Sequence, residues 1–259
     1  MAPDTAKRVM EAARVLRYRP NYLARSLVKR QTDTIGLVIP DQRNPFYAQA
    51  SWAAEKEAYR LGYSVIVGNT DNDPAKEASY LQLLDARQVD GMLLIGGVRD
   101  VSTVVEYVAT SSTPVVLVDR DAGNVLSLPS VTLDNIAGGR EMTEFLLSLG
   151  HRRIAFVTSE YTTPERDRRI GYERALEAAG IPVDPALIVR MTEDDWKEGR
   201  LEPLAALLAG PDRPTAVFAS NDFKALAVYR LAHRLGLTIP DDLSVVGYDD
   251  IEVADLLYP

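Results

Sequence analysis

From residue 34 onward, short uncharged apolar runs alternate with longer stretches in which apolar residues recur at helical spacing. Uncharged runs rich in Val, Ile and Leu that are separated by helices favour a parallel sheet covered on both faces. The first set of strands is predicted at 34–40, 63–69, 91–97 and 114–120, with helices at 45–61, 74–87 and 101–109 and an extra strand at 130–134. A helix at 136–149, ended by Gly150, leads into a second set.

The second set repeats this alternation. Its strands are predicted at 153–158, 186–190, 215–220 and 243–250, and its helices at 166–179, 196–208 and 222–235. Two sets of similar design, joined near residues 135–150, predict an α/β protein with two doubly wound parallel-sheet lobes. The sequence stops soon after the last of these strands, so we expect one or two further strand–helix units to be lacking.

The first 28 residues have a different, helical pattern. Residues 3–17 begin with a proline and an aspartate, which suit the first turn of a helix, and apolar residues then recur at helical spacing. Pro20 ends this helix. Residues 21–28 allow a short second helix with Asn21 as its N-cap.

Charge is divided unevenly between this segment and the rest of the chain. The 259 residues carry a formal net charge of −8. Residues 1–30 contain eight Lys or Arg and two acidic residues, a net charge of +6, so the remainder carries −14. A basic segment joined to an acidic body suggests that the segment meets a polyanion and that the body does not.

Composition and motifs exclude several classes of protein. The chain has no cysteine, which excludes disulfides and thiolate metal sites, and we predict no metal site. No apolar run approaches the roughly 18 residues of a membrane span, and no apolar signal-peptide segment follows the basic N-terminus. We therefore expect a cytoplasmic protein without a membrane partner.

Sequence signatures of catalysis are also lacking. His151 and His233 have no visible set of partners and are most simply structural or solvated. No GxSxG, HExxH, GxxxxGK[ST] or GxGxxG motif follows any predicted strand. We expect neither enzyme activity nor a cofactor.

Polar residues collect where the predicted strands end, which is where open parallel sheets bind ligands. They are found at 41–46, 69–71, 119–120, 221–222 and 249–250. Carboxylates, amides and guanidinium groups pair with vicinal hydroxyls, and the aromatic ring of Phe46 can stack on a sugar or base. The alternative is that these Asp and Asn side chains only cap the following helices. Because both lobes contribute, we favour a binding cleft between them.

Linked motifs occur in order along nearly the whole chain. They are RVMEAARVLRYRPNYLARSLVKRQTDTIGLVIPDQRNPFYA, VDG (89–91), VTLDNIAGG, LGHRRIAFV, RRIGYERAL, PTAVFASNDFKALAVYR and LSVVGYDD. Together they resemble the lactose-repressor/galactose-repressor (LacI/GalR) family of bacterial transcription regulators. The resemblance implies a two-lobed core of the periplasmic-binding-protein-like type I, which senses an effector and dimerises. It also implies a helix-turn-helix DNA-binding domain joined to this core by a hinge helix.

On this plan, residues 1–20 are a remnant of the helix-turn-helix domain and residues 21–33 are the hinge helix and linker. Residues 34–259 are the effector-binding core, with a first lobe to about residue 135 and an incomplete second lobe after it. The family's first two helices, including the recognition helix, have no counterpart in the sequence, and we expect the chain to lack them and the C-terminal end of the core.

The resemblance assigns DNA contacts to the hinge helix. Leu27 matches the apolar wedge that enters the minor groove and partly unstacks bases. Asn21 and Ala24 lie on the approaching side, and Arg25, Lys29 and Arg30 can meet phosphates. The alternatives are that Leu27 belongs to a buried helix and that the basic residues form a solvated face.

The resemblance also assigns residues to a site for a sugar or a nucleobase. Asn44, Phe46 and Tyr47 match the first lobe, and Arg168, Asn221 and Asp249 match the second. Arg168 has a simpler interpretation, as a helix-start arginine bound to a nearby carboxylate. Family members often carry an aromatic residue in the loop before helix 196–208. Asp194 occupies that position here, and we expect Trp196, two residues on, to stack on the ligand.

The leading hypothesis is a ligand-responsive, homodimeric repressor in which effector binding closes the lobes and changes affinity for operator DNA. The effector could act as inducer or corepressor. The main alternative is a stand-alone sugar-binding protein of the same fold, and a doubly wound enzyme is a third class. The basic N-terminal segment favours the regulator.

Overall fold

The computed structural model describes residues 3–16, 31–97, 101–120, 127–159 and 161–258. The first lobe is a parallel sheet with the strand order β2-β1-β3-β4-β5. Its strands are β1 (Thr34–Ile39), β2 (Ser64–Asn69), β3 (Gly91–Ile95), β4 (Val115–Val118) and β5 (Ser130–Val131). The helices that cover it are α2 (Pro45–Arg60), α3 (Pro74–Ala86) and α4 (Ser102–Thr110).

Both faces of the central strands β1, β3 and β4 are covered, as their uncharged sequences predict, whereas the edge strands β2 and β5 are more exposed. Leu37 and Val38 are neighbours on β1 and point to opposite faces. Leu37 packs with Tyr47 and Ala54 of α2, whereas Val38 packs with Leu84 on the other side. β2 lies at one edge of the sheet, so one side of that strand has no partner strand within the described residues.

The second lobe has the strand order β7-β6-β8-β9, again parallel. Its strands are β6 (Ile154–Thr158), β7 (Ile188–Arg190), β8 (Ala216–Ala219) and β9 (Ser244–Val246). Its helices are α5 (Asn135–Ser148), α6 (Thr163–Ala178), α7 (Glu193–Glu198), α8 (Glu202–Ala209) and α9 (Asp222–Arg234), with short 3₁₀ turns at Pro185–Leu187 and Ala254–Leu256. Phe156 and Val157 face opposite core clusters, so this sheet is also covered on both faces.

The chain passes from the first sheet into the second lobe between Val131 and Asn135, and α5 then packs directly on α6. Two glycines permit this contact. A Cβ atom on Gly139 would lie 2.2 Å from the backbone oxygen of Arg168, and one on Gly171 would lie 2.2 Å from the backbone oxygen of Ile136. The two helix backbones therefore touch where any larger residue would separate them.

One predicted helix is wrong. Residues 196–208 form two helices, because Gly199 adopts a left-handed conformation (φ 73°) that ends α7. α7 begins earlier than predicted because Thr192 and Asp195 form a reciprocal capping box. The extra strand predicted at 130–134 is limited to Ser130–Val131, and the last strand, predicted at 243–250, is limited to Ser244–Val246.

The N-terminal helix α1 (Pro3–Val15) matches its prediction closely and buries none of its residues. The apolar side chains of Val9, Met10 and Val15 in this helix, and of Leu16 directly after it, are exposed. The predicted hinge helix at 21–28 lies outside the described residues. In the part of the chain that the structure describes, no helix combines the length and apolarity needed to cross a bilayer.

Candidate ligand-binding cleft

A small cavity of about 40 Å³ lies between the carboxyl ends of the two sheets. Both lobes line it, as the strand-end rule predicts. The structure brings together six of the residues that the sequence assigns to a ligand: Asn44, Phe46, Tyr47, Arg168, Asn221 and Asp249.

Arg168 of α6 is the buried centre of this group. Its Nε donates to Asn135 Oδ1 at 2.9 Å, and its Nη1 donates to the backbone oxygen of Ser220 at 2.7 Å. Nη1 also lies 3.2 Å from Asp249 Oδ1, and the guanidinium carbon lies 3.7 Å from the centre of the Tyr248 ring. The guanidinium is thus fixed in plane and position by the protein itself. The simpler interpretation of Arg168 is partly correct, since it does bind a carboxylate, but it does so inside the cleft.

Two carboxylates from different lobes face this arginine. Burial raises the pKa of Asp249 to about 7 despite the opposing charge of Arg168, and the charge of Asp119 adds to the rise. Burial likewise raises the pKa of Asp119 to about 6. Both residues have left-handed backbones, with φ of 109° at Asp249 and 51° at Asp119. Non-glycine residues rarely adopt this conformation, and functional sites are where it concentrates.

Asp119 was not among the assigned ligand residues, although the strand-end rule marks its position. One of its carboxylate oxygens, Oδ1, is buried and accepts no hydrogen bond from the described residues. A buried acceptor without a donor is costly unless a ligand or water supplies one. Asp119 therefore belongs with Asp249 in the candidate site.

Asn44 and Asn221 serve two purposes. Asn44 Oδ1 accepts from the backbone N–H of Phe46 at 3.0 Å and caps α2, and Asn221 Oδ1 accepts from the backbone N–H of Lys224 at 2.9 Å and caps α9. The capping alternative is therefore correct for both oxygens. Because both side chains also line the cavity, a ligand there would chiefly meet their amide nitrogens.

The aromatic pair at the start of α2 forms one wall. The Phe46 and Tyr47 rings meet edge to face, with centroids 5.2 Å apart. Tyr47 packs on Gly96, where a Cβ atom would lie 2.6 Å from the tyrosine ring. Gly96 also has a left-handed backbone (φ 61°), so glycine is required there for two reasons.

The Trp196 side chain lines neither cavity of the cleft, so the expectation that it stacks on a ligand is wrong for this structure. Its side chain is 3% exposed and packs in the second-lobe core with Leu201 and Leu204. The early start of α7 at its capping box turns residue 196 inward. Asp194, two residues earlier, instead lines the cleft.

A buried ion pair in the wall of the small cavity was missed by the sequence analysis. Lys224 Nζ donates to Glu165 Oε1 at 2.5 Å, and the hydroxyls of Ser220 and Ser159 donate to the same carboxylate at 2.9 and 2.5 Å. Burial alone would raise the pKa of Glu165, but the Lys224 charge and these hydrogen bonds hold it below its ordinary value. The backbone N–H of Tyr161 also donates to Glu165, so the pair anchors the loop after β6.

A second, larger cavity of about 640 Å³ adjoins the first. Asn72 of the first lobe and Tyr161 of the second line both cavities. The Tyr161 hydroxyl donates to the backbone oxygen of Asn72 at 2.9 Å and so connects the two lobes. The residues assigned to DNA lie outside the described residues: Asn21, Ala24, Arg25, Leu27, Lys29 and Arg30.

Comparisons with known proteins agree with this architecture. Residues 32–257 match the family described as periplasmic binding proteins and sugar binding domain of LacI family. The transcriptional regulator DegA of Bacillus subtilis is 35% identical over 262 residues, covering 100% of this chain and 77% of that protein. The ribose operon repressor of Escherichia coli K12 is 35% identical, covering 98% of this chain and 76% of its own.

Solved structures give the same result. The transcription regulator CcpA of Lactococcus lactis superposes with a TM-score of 0.78 at 26% identity, covering 87% of this chain and 82% of that one. The complex of the transcriptional regulator CelR with cellobiose has a TM-score of 0.72 at 30% identity, covering 98% and 76%. The chain therefore belongs to the LacI family of transcriptional regulators, which are not enzymes.

Proposed function

We propose that the cleft binds a sugar-like effector and that its occupancy changes the affinity of the protein for operator DNA. The observation that carries this proposal is the buried constellation of Arg168, Asp249 and Asp119, drawn from both lobes. Carboxylates and a fixed guanidinium are the groups that pair with vicinal hydroxyls, and the Phe46 ring can cover the apolar face of a sugar. A nucleobase is the other ligand class that an arginine, a carboxylate and an aromatic ring can bind.

The size of the small cavity supports a link between binding and lobe position. A cavity of about 40 Å³ has room for only a few water molecules, since one water needs roughly 10–15 Å³. A sugar ring is larger, so its entry requires the lobes or the lining side chains to move. A ligand that prefers one arrangement of the lobes shifts the population toward it.

DNA binding is proposed for residues 21–30, on the family resemblance and the net charge of +6 in residues 1–30. Leu27 would wedge into the minor groove beside Asn21 and Ala24, and Arg25, Lys29 and Arg30 would contact phosphates. We retain residues 1–20 as part of the helix-turn-helix domain, 21–33 as the hinge and 34–259 as the effector core. A cytoplasmic location follows from this proposal, because the operator lies there.

A homodimer is supported by exposed apolar side chains on one side of the first lobe. They lie on α2, in the turn after it and on the α2 face of the edge strand β2: Trp52, Tyr59, Leu61 and Val67. Several exposed apolar side chains on neighbouring elements are typical of interaction sites, and an unpaired edge strand adds hydrogen-bonding groups. Sedimentation of Tyr59→Asp tests the proposal, because a buried charge at the interface shifts the protein to monomer.

Effector binding is tested by thermal shift with pentoses, hexoses, polyols and purines. The sugar that binds should raise the Tm of the wild type and of Arg140→Met, whose arginine is exposed on α5, but not of Arg168→Met. A ligand that stabilises all three proteins equally would place the site elsewhere.

DNA binding is tested by fluorescence anisotropy with fragments from next to the coding sequence, at several salt concentrations. Arg30→Ala should weaken binding and lower the slope of log K against log salt by about 1, because one phosphate contact is lost. Lys56→Ala, on α2, is the control and should leave the slope unchanged. If no ligand of the thermal-shift screen changed the affinity for DNA, the proposed link between effector binding and DNA binding would be contradicted.

A further inference from the structure

The two cavities of the cleft adjoin each other across Asn72 and Tyr161, whose hydrogen bond lies between them. Asn72 and Tyr161 line both, so a ligand held at Arg168 and Asp249 meets the large cavity directly beyond these two residues. The large cavity, at about 640 Å³, falls in the range of roughly 300–1,000 Å³ typical of small-molecule sites. The small cavity, at about 40 Å³, is lined by the charged groups that would recognise the ligand but has little free volume.

Two buried oxygen atoms in residues that line these cavities need a hydrogen-bond donor. Asp119 Oδ1 and Asn72 Oδ1 accept no hydrogen bond within the described part of the chain. Asp119 lines the small cavity, and Asn72 lies at the boundary between the two. A ligand hydroxyl supplies an O–H donor to such an oxygen, whereas an ionised phosphate or carboxylate offers only acceptors.

The charges around the large cavity also favour an uncharged ligand over an anionic one. Its lining contains four carboxylates and two guanidinium groups, so an anionic ligand part would meet net repulsion. Two of the carboxylates are paired within the protein. Arg200 Nε donates to Asp195 Oδ1 at 2.8 Å. Lys76 Nζ donates to Asp71 Oδ2 at 2.5 Å, which leaves two carboxylates against one guanidinium group. Asp194 is exposed in the lining of the cavity and can accept a hydrogen bond there.

We propose that the effector is an uncharged, hydroxyl-rich molecule of two parts, a disaccharide or glycoside, whose first ring binds at Arg168 and Asp249 and whose second part occupies the large cavity beside Asp194. This inference rests on the proposed function and specifies the ligand class of the same cleft. It excludes phosphorylated sugars and sugar acids as the main effectors.

Isothermal titration calorimetry on the 259-residue chain tests this proposal. The ligands are neutral disaccharides (maltose, cellobiose, lactose, sucrose and trehalose), their monosaccharide units, and the anionic analogues glucose 6-phosphate and trehalose 6-phosphate. At least one neutral disaccharide should bind about tenfold more tightly than its monosaccharides, because one hydrogen bond to a charged group contributes about that factor. It should also bind more tightly than both phosphates.

Two variants locate the second part of the ligand. Asp194→Ala should weaken disaccharide binding by about tenfold and leave monosaccharide binding unchanged, since only the second part reaches this side chain. Asp241→Ala is the matched control, because Asp241 is an exposed second-lobe carboxylate outside both cavities. Asp194 is also exposed, so both variants should fold, which circular dichroism verifies.

The outcomes separate this inference from the proposed function. If monosaccharides or sugar phosphates bind as tightly as disaccharides, or if Asp194→Ala binds disaccharides like the wild type, the two-part effector is refuted while a sugar effector stands. If no sugar binds and a purine does, the sugar effector itself is refuted and the two-part effector with it.

Discussion

Replacing Lys224 with methionine tests how strongly the buried ion pair stabilises the second lobe. The Lys224 and Glu165 side chains are 2% and 4% exposed, so neither charge has access to bulk water. Methionine is also long and unbranched, and it removes the charge while keeping most of the packing. The variant therefore leaves a buried carboxylate without its charge partner.

The expected cost follows from the contacts that remain. Breaking a buried pair from one side typically costs about 3–5 kcal/mol. Glu165 keeps hydrogen bonds from Ser159 Oγ, Ser220 Oγ and the Tyr161 backbone, and these offset part of the loss. We expect the free energy of unfolding to fall by about 3 kcal/mol. At about 2–4 °C per kcal/mol for a protein of this size, the Tm should fall by roughly 6–12 °C.

Urea unfolding followed by circular dichroism measures this change. Arg60→Met is the control, because Arg60 pairs with Glu57 on the exposed face of α2, and it should leave the midpoint unchanged. The double variant Glu165→Gln with Lys224→Met should recover part of the loss, since no unpaired charge remains. A loss below about 1 kcal/mol in Lys224→Met would refute the idea that Glu165 is desolvated in solution.

The pH dependence provides a second measurement. The pKa of Glu165 is lower in the folded protein than in the unfolded chain, so the pair stabilises the fold at pH values above the ordinary pKa of about 4.3. This stabilisation is lost as the pH falls toward the folded pKa. The wild type should therefore lose this contribution to its stability as the pH falls below about 4, whereas Lys224→Met, which lacks the pair, should not show this loss.

Three further predictions concern the cleft and the core. Because burial raises the pKa of Asp249 to about 7, its charge destabilises the ligand-free fold as the pH rises through that value. Asp249→Asn should therefore raise the urea midpoint at pH 8 but not at pH 4. The control Asp250→Asn, at an exposed position, should leave the midpoint unchanged at both pH values. Trp196→Phe should lower the Tm and leave sugar affinity unchanged, since the indole is in the core; a selective loss of affinity by calorimetry would restore the stacking hypothesis. Gly171→Ala should destabilise by about 3 kcal/mol because its Cβ meets backbone, whereas Gly210→Ala, which has no contact under 3.5 Å, should be nearly neutral in the same unfolding assay.

The fold was largely predictable because its strands carry a simple signal. Runs such as residues 34–39 and 154–158 are uncharged over their whole length, and only a sheet covered on both faces accommodates several of them. Helix boundaries were less predictable. Thr192 starts α7 through the hydrogen bonds of its capping box, and Gly199 ends it through a left-handed backbone. The apolar periodicity continues across this break and gives no sign of it.

The candidate site was predictable where one rule suffices. Asp119, Asn221 and Asp249 each follow a strand, and the topology of a parallel sheet brings each of them to the carboxyl edge of its own sheet. The buried ion pair in the wall of the same cavity was not predictable. Glu165 and Lys224 are 59 positions apart, and neither has a local pattern that distinguishes a buried ion pair from two surface charges.

The contact between α5 and α6 has a mechanical consequence. Because Gly139 and Gly171 bring the two backbones together, no compressible layer of side chains lies between the helices to absorb a displacement. Asn135, the first residue of α5, sits where the chain leaves the first lobe, and its side chain is also hydrogen-bonded to Arg168. A displacement of the Arg168 guanidinium is therefore passed through Asn135 and the rigid pair of helices to the segment that connects the lobes.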